Sequence, residues 1–157
     1  MGSRVVVRVA VAGDHNGVHM KGRIVEQLRR AGHVVDDLGS DDPDVVVDYP
    51  PLCAQVGARV VDGRADRGVV IGGSGQGEHI ACNKIRGIRA GLGFSVFATE
   101  ISRANNDSNV LVLPAKVLDA DVAAQVIEVW LATRFRGGVH QRRLDQVAAI
   151  ERGEPVP

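Results

Sequence analysis

Short valine-rich runs alternate along this chain with longer stretches in which apolar residues recur every three or four positions. The runs are VVVRVAVAG (5–13), HVVDDLG (33–39), RGVVIGG (67–73), GIRAGLG (87–93) and NVLVLP (109–114). Apolar periodicity predicts helices over 17–31, 50–63, 76–85, 95–105 and 117–133, and a last one after Gly137-Gly138. Strand and helix in this rhythm specify an α/β protein, a parallel sheet with helices on both faces. Runs such as VVI and VLVL are apolar on both sides, as central parallel strands must be. The 117–133 pattern is apolar around much of its circumference, through Val117, Leu118, Val122, Val126, Ile127, Val129, Trp130 and Leu131. A surface helix shows a narrower stripe, so this one is expected to be buried, with a second subunit as one candidate cover.

The pattern also predicts where a site would form. Ligands of open parallel sheets bind beyond the carboxyl ends of the strands, where the strand order reverses. With five strands in the order 2-1-3-4-5, that crevice lies between the first and third. Asp14-His15-Asn16 follows the first strand and Ser74 to Glu78 follows the third. Groups distant in sequence would then face one another.

Composition removes several classes of function. The chain has 157 residues, 45% apolar and 24% charged, which suits one domain spanning 1–157. Formal net charge is zero, and three Phe, one Tyr and one Trp offer no base-stacking platform, so no nucleic-acid partner is expected. Cys53 and Cys82 form no CxxC pair and have no His-x-x-x-His neighbour, so both read as reduced core thiols, with no metal and no disulfide. The N-terminal run is too short for a signal peptide or a membrane span, and a cytoplasmic location is expected. Met1-Gly2 starts as a myristoylation signal does, but Val6 stands where Ser or Thr is needed; Gly2-Ser3 reads as a cloning remnant.

The third run ends in Gly72-Gly73-Ser74-Gly75-Gln76-Gly77, followed by Glu78. A dinucleotide fingerprint would need a third glycine where Glu78 stands, and would follow the first strand. A P-loop would need lysine at 78 and Ser or Thr at 79, whereas the chain has Glu78 and His79. A nucleophile elbow would need glycine at Gln76, and a phospho-acceptor would need an aspartate ending the third strand. What the loop can offer is a nest of backbone N–H groups for a developing oxyanion, with a carboxylate beside it. That pairing suits removal of a proton from a carbon next to a carbonyl. A carboxylate in the first turn of a helix is also simply favourable, and the loop alone does not decide between the two. Flavin binding stays open on fold grounds.

Five stretches together resemble the ribose-5-phosphate isomerase B and galactose-6-phosphate isomerase family: AGDHNGVHMK (12–21), DYP (48–50), GGSGQGEHIACNKIRGIRA (72–90), NNDSNVL (105–111) and GGVHQRR (137–143). The resemblance spans nearly the whole chain. It implies a Rossmann-like three-layer sandwich with a C-terminal helix, a homodimer or homotetramer with the site between subunits, and no cofactor. It implies an intramolecular oxidoreductase that interconverts an aldose phosphate and a ketose phosphate, such as ribose 5-phosphate and ribulose 5-phosphate in the pentose phosphate pathway, through an enediolate. One branch of the family uses a cysteine early in the loop as base; the other uses a glutamate after GGSGxG. With Gly72 at the cysteine position, this chain resembles the glutamate branch. The resemblance then makes Glu78 the base. Ser74, Gly75, Gln76 and Gly77 become the oxyanion holders, Asp14 and His15 handle the sugar oxygens or phosphate, and Tyr49 lines the pocket.

Three positions depart from the pattern. Asn105-Asn106 stands where His-Asn is usual, and an amide cannot exchange protons to open a sugar ring. Val139 and Lys116 stand where arginines associated with the phosphate are usual. Arg143, His140 and Lys116 remain to hold it, with Arg142 nearby. These departures leave two alternatives beside ribose 5-phosphate: the same chemistry on a four- or six-carbon sugar phosphate or an unphosphorylated aldose, or a non-catalytic sugar-phosphate-binding paralogue.

Overall fold

The computed structural model describes residues 4–156, so Gly2-Ser3 lies outside it. Its strands are β1 (Arg8–Gly13), β2 (Val34–Asp37), β3 (Arg67–Gly72), β4 (Ala90–Leu92) and β5 (Val110–Pro114). Its helices are α1 (Val18–Arg30), α2 (Tyr49–Val61), α3 (Gln76–Asn83), α4 (Val96–Ala104), α5 (Ala120–Ala132) and α6 (Val139–Glu151), with a 3-10 turn at His15–Gly17. All strand pairs are parallel, in the order β2-β1-β3-β5-β4.

The order differs from the expected 2-1-3-4-5 in its last two places. All five residues of β5 are buried, so it takes the covered slot beside β3. The three residues of β4, Ala90-Gly91-Leu92, are half-buried and form a short edge, as edge strands generally are. The swap matters for the site, because the loop after β5 now runs beside the glycine loop. Ala115 N donates to Gly72 O at 2.8 Å and Lys116 N to Gly73 O at 2.9 Å.

Alternation along the strands builds two apolar layers. Val9, Val11, Val69, Ile71, Leu111 and Leu113 point to one face and pack on Ile24, Val25 and Leu28 of α1 and Val126, Ile127 and Trp130 of α5. Ala10, Ala12, Val70, Val110 and Val112 point to the other, beneath Leu52, Cys53 and Val56 of α2 and Cys82 of α3. Small alanines on that second face let α2 approach closely.

α5 begins three residues later than the pattern predicts. Asp119 caps it, accepting from Val122 N at 2.9 Å, and Val117 lies exposed in the preceding turn. The buried side of α5 is covered by α1, α4 and the sheet of its own chain, so its apolar girth needs no second subunit. β1 likewise begins at Arg8, because β2 offers no partner before Val34.

Candidate active site

The two polar clusters meet at the carboxyl edge of the sheet. Asp14 N donates to Ile71 O, which ties the end of β1 to the end of β3. Asp14 is buried, and its Oδ1 accepts from Asn16 N at 2.9 Å, capping the 3-10 turn. His15 Nδ1 accepts from Val47 N at 3.3 Å. In a neutral ring this leaves the proton on Nε2.

The segment that supplies Val47 N is fastened by Lys21, which sequence reasoning gave no role. Its ammonium is buried and donates to Asp37 Oδ1 (2.6 Å), Leu38 O (2.7 Å) and Asp41 Oδ1 (2.8 Å). Burial alone would pull its pKa down, but the two carboxylates outweigh this and hold it raised.

The glycine loop is shaped around Glu78. Gly75 adopts φ 76°, a left-handed conformation, immediately before α3. A Cβ placed on Gly72 would fall on the Glu78 carboxylate, and one on Gly77 would fall on the Tyr49 ring. The carboxylate therefore lies flat over the end of β3, in the space that a side chain at 72 would fill. Glu78 is 4% exposed. Burial raises its pKa and the Asp14 charge adds to this, while its own backbone N–H pulls the other way.

Ser74 is exposed, and its Oγ accepts from Gln76 N at 3.3 Å, leaving its hydroxyl proton to donate elsewhere. The Gly75 and Gly77 amides, at the start of α3, donate to no acceptor among the described residues. Asn16 and the Lys116 stem flank Gly73. Asn16 is a neighbour of the loop that sequence reasoning placed in its cluster but assigned no part.

Behind the loop, Cys53 Sγ donates to Glu78 O at 3.8 Å, and Cys82 is buried, its pKa pushed up by Cys53 and by burial. Both cysteines are free and serve as core. Asn83 ties α3 to β4: its Nδ2 donates to Ala90 O at 3.1 Å and its Oδ1 accepts from Ala90 N at 2.9 Å. Among the described residues no group of three His, Cys, Asp or Glu is placed to hold a metal.

The other expected site residues are not brought to this edge. Asn105 and Asn106 precede β5, while Lys116 follows it; a five-residue strand separates its two ends by about 17 Å. His140 and Arg143 lie on α6, which is fastened at the amino edge by Glu151 accepting from Gly87 N at 3.2 Å. Asn105 Oδ1 accepts from Arg136 Nη1 at 3.2 Å, so an arginine that sequence reasoning passed over stands beside the Asn105 position. The expected site residues thus fall into two groups within one chain. The first holds Asp14, His15, Tyr49, Ser74 to Glu78 and Lys116; the second holds Asn105, Asn106, Arg136, His140 and Arg143.

The described chain matches the family described as Ribose/Galactose Isomerase over residues 9–147. It belongs to that family. Ribose-5-phosphate isomerase B of Escherichia coli (strain K12) is 36% identical over 144 residues, covering 92% of this chain and 96% of that protein. Among solved structures, ribose-5-phosphate isomerase B of Clostridium thermocellum superposes with TM-score 0.91 at 36% identity, covering 93% of this chain and 98% of that one. Ribose-5-phosphate isomerase B of Mycoplasma genitalium, solved with bound ribulose-5-phosphate, superposes with TM-score 0.88 at 32% identity, covering 92% and 96%. The family assignment gives the glycine loop its context, since such relatives span almost their whole length on this chain. No helix of the described residues is long and apolar enough to cross a membrane.

Proposed function

We propose that the chain is a metal-free aldose–ketose isomerase of sugar phosphates, interconverting ribose 5-phosphate and ribulose 5-phosphate with Glu78 as the base. The observation that carries this reading is the Glu78 carboxylate, buried over Gly72 beside free amides at the start of α3. A carboxylate needed only as a helix cap would sit in water; this one is desolvated, with its pKa raised toward the range useful for proton transfer. Glu78 takes the C2 proton of the open-chain aldose. The electrons move into a C1–C2 double bond, and the C1 oxygen becomes the enediolate oxygen. Ser74 and the Gly75 and Gly77 amides hold that oxygen; one such donor contributes about 3 kcal/mol to transition-state stabilisation. Glu78 returns the proton to C1 while the O2 proton passes to O1, within reach of Asp14 and His15, and the ketose results.

The complete site is assembled from two copies, the first half-site of one chain facing the second half-site of the other. Support comes from the separation of the halves within a chain and from α6, which buries only Ala149 and exposes Val139, Val147 and Ile150. Arg136 joins Arg143, His140 and Lys116 in gripping the phosphate, in place of the arginine missing at Val139.

A second reading is favoured by Asn105. Its amide is bonded to Arg136 and cannot open a furanose ring. A four-carbon aldose with phosphate on C4 closes no furanose and needs no such group. Proton exchange in deuterated water, followed by NMR over ribose 5-phosphate, erythrose 4-phosphate, allose 6-phosphate and free ribose, tests both readings. Deuterium incorporated by the wild type but not by Glu78→Gln supports the isomerase and ranks the sugars. If ribose 5-phosphate ranks low, Asn105→His should raise exchange on it. No exchange on any sugar by folded protein would leave a sugar-phosphate-binding paralogue.

A further inference from the structure

At the amino end of β3, away from the glycine loop, one arginine stands without a partner. The Arg67 side chain makes no hydrogen bond within the described residues, and its Nη1 is sealed from solvent. Its guanidinium lies over the Trp130 ring, 5.4 Å from the centroid. The ring cannot swing away, because Trp130 Nε1 donates to Ser108 Oγ at 2.9 Å. Beside it Arg103 is buried; its Nη1 is engaged by Asp107 Oδ1 (2.8 Å) and Ser108 O (2.7 Å), and its Nε has no partner.

Both arginines line a groove of ≈ 940 Å³ whose rim carries Arg4, Arg134 and His33, with Arg30 beside them paired to Glu26. Glu128 is the lone carboxylate of the lining. The nearest other acids are engaged elsewhere: Asp66 by Arg8, and Asp107 by Arg103 and Arg89. Burial and the Arg103 charge pull the Arg67 guanidinium down to about 10, against the smaller opposing pull of Asp107 and Asp66. A half-buried cation beside another cation, with no carboxylate bonded to it, is unfavourable unless an anion completes the set.

We propose that this groove is a second anion site, which takes a phosphoryl group on the fork of Arg67 with the rim arginines completing its charge. The apolar walls, Val7, Leu131 and Phe135, leave room for the carbon skeleton that carries the group. The site is separate from the Glu78 crevice. Arg67 opens the six-residue β3 and Glu78 lies beyond its far end, about 20 Å along the sheet.

Inorganic pyrophosphate, titrated calorimetrically and by thermal melting at constant ionic strength, tests this. The expected result is saturable binding and a raised Tm, in the wild type and in Glu78→Gln alike, since a ligand of the folded state stabilises it by mass action. Arg67→Met keeps a stem over Trp130 but removes the fork. It should weaken binding at least about tenfold, roughly 1.4 kcal/mol, and should raise the Tm of the anion-free protein by deleting an unanswered charge. Arg134→Gln, an exposed rim change that leaves the core untouched, should weaken binding to a lesser degree. The proposal is overturned if the wild type shows no saturable binding, or if binding survives Arg67→Met and is lost in Lys116→Met. In the latter case the anion sits in the isomerase crevice.

Discussion

Glu78 and Gly72 are one structural unit although six positions separate them. The carboxylate lies where a side chain at 72 would be, so glycine there is a condition for Glu78 to take this place. Gly72→Ala should displace the carboxylate and lower kcat about a hundredfold, the scale expected for a displacement near 1 Å, with the fold retained by circular dichroism. The same burial sets a pH dependence. If Glu78 is the base, it acts ionised; its pKa is raised above the usual 4.5, so kcat/KM should fall with acidification through an inflection above that value. The stability effect has the opposite sense. Between the unfolded and folded pKa values the native state holds more protons, so stability falls as pH rises through that window. Glu78→Gln should therefore melt higher than the wild type at neutral pH while losing about 10²- to 10⁴-fold in rate. A glutamine variant that melts lower would show that the carboxylate is answered by a partner and is not a strained base.

The elements were largely readable because valine-rich runs and helical periodicity are local signals. All five strands and six helices lie where the pattern put them, with ends shifted by a few residues. The order of the last two strands was not local information. It depends on how completely each run is buried, and VLVLP outcompetes AGL for the covered slot only once both are in the sheet. That exchange brings Lys116 onto Gly73, a neighbour that the expected order would have moved one strand away. Lys21 was illegible for a similar reason, since its partners lie beyond β2 and a lysine in a helical pattern reads as surface. Its three bonds hold the segment that supports His15 through Val47 N. Lys21→Met should destabilise the fold by about 2 kcal/mol, the scale of hydrogen bonds to a charged group. It should also raise KM more than it lowers kcat. The Asp41 end of the arrangement is 86% exposed in its side chain, so Asp41→Asn should do much less than the lysine variant. Urea melts and initial rates on the same preparations separate the two effects.

At the scale of the molecule, the glycine loop and the Asn105–Arg143 group lie at opposite edges of one sheet, and no rotamer change can join them. If each site draws its base from one subunit and its phosphate grip from the other, two individually dead variants should rescue one another. Glu78→Gln and Arg143→Met, each close to inactive alone, would form mixed dimers when unfolded and refolded together. In a mixed dimer one site carries both substitutions and the other carries neither. With random pairing half the dimers are mixed, and one of their two sites is whole, so about one quarter of the wild-type activity should return. A tetramer built from such dimers gives the same fraction. A site confined to one chain gives no recovery at any mixing ratio, because each chain keeps its own defect. Titrating the ratio therefore locates the boundary of the site: recovery that peaks at equal amounts requires Glu78 and Arg143 to act from different subunits.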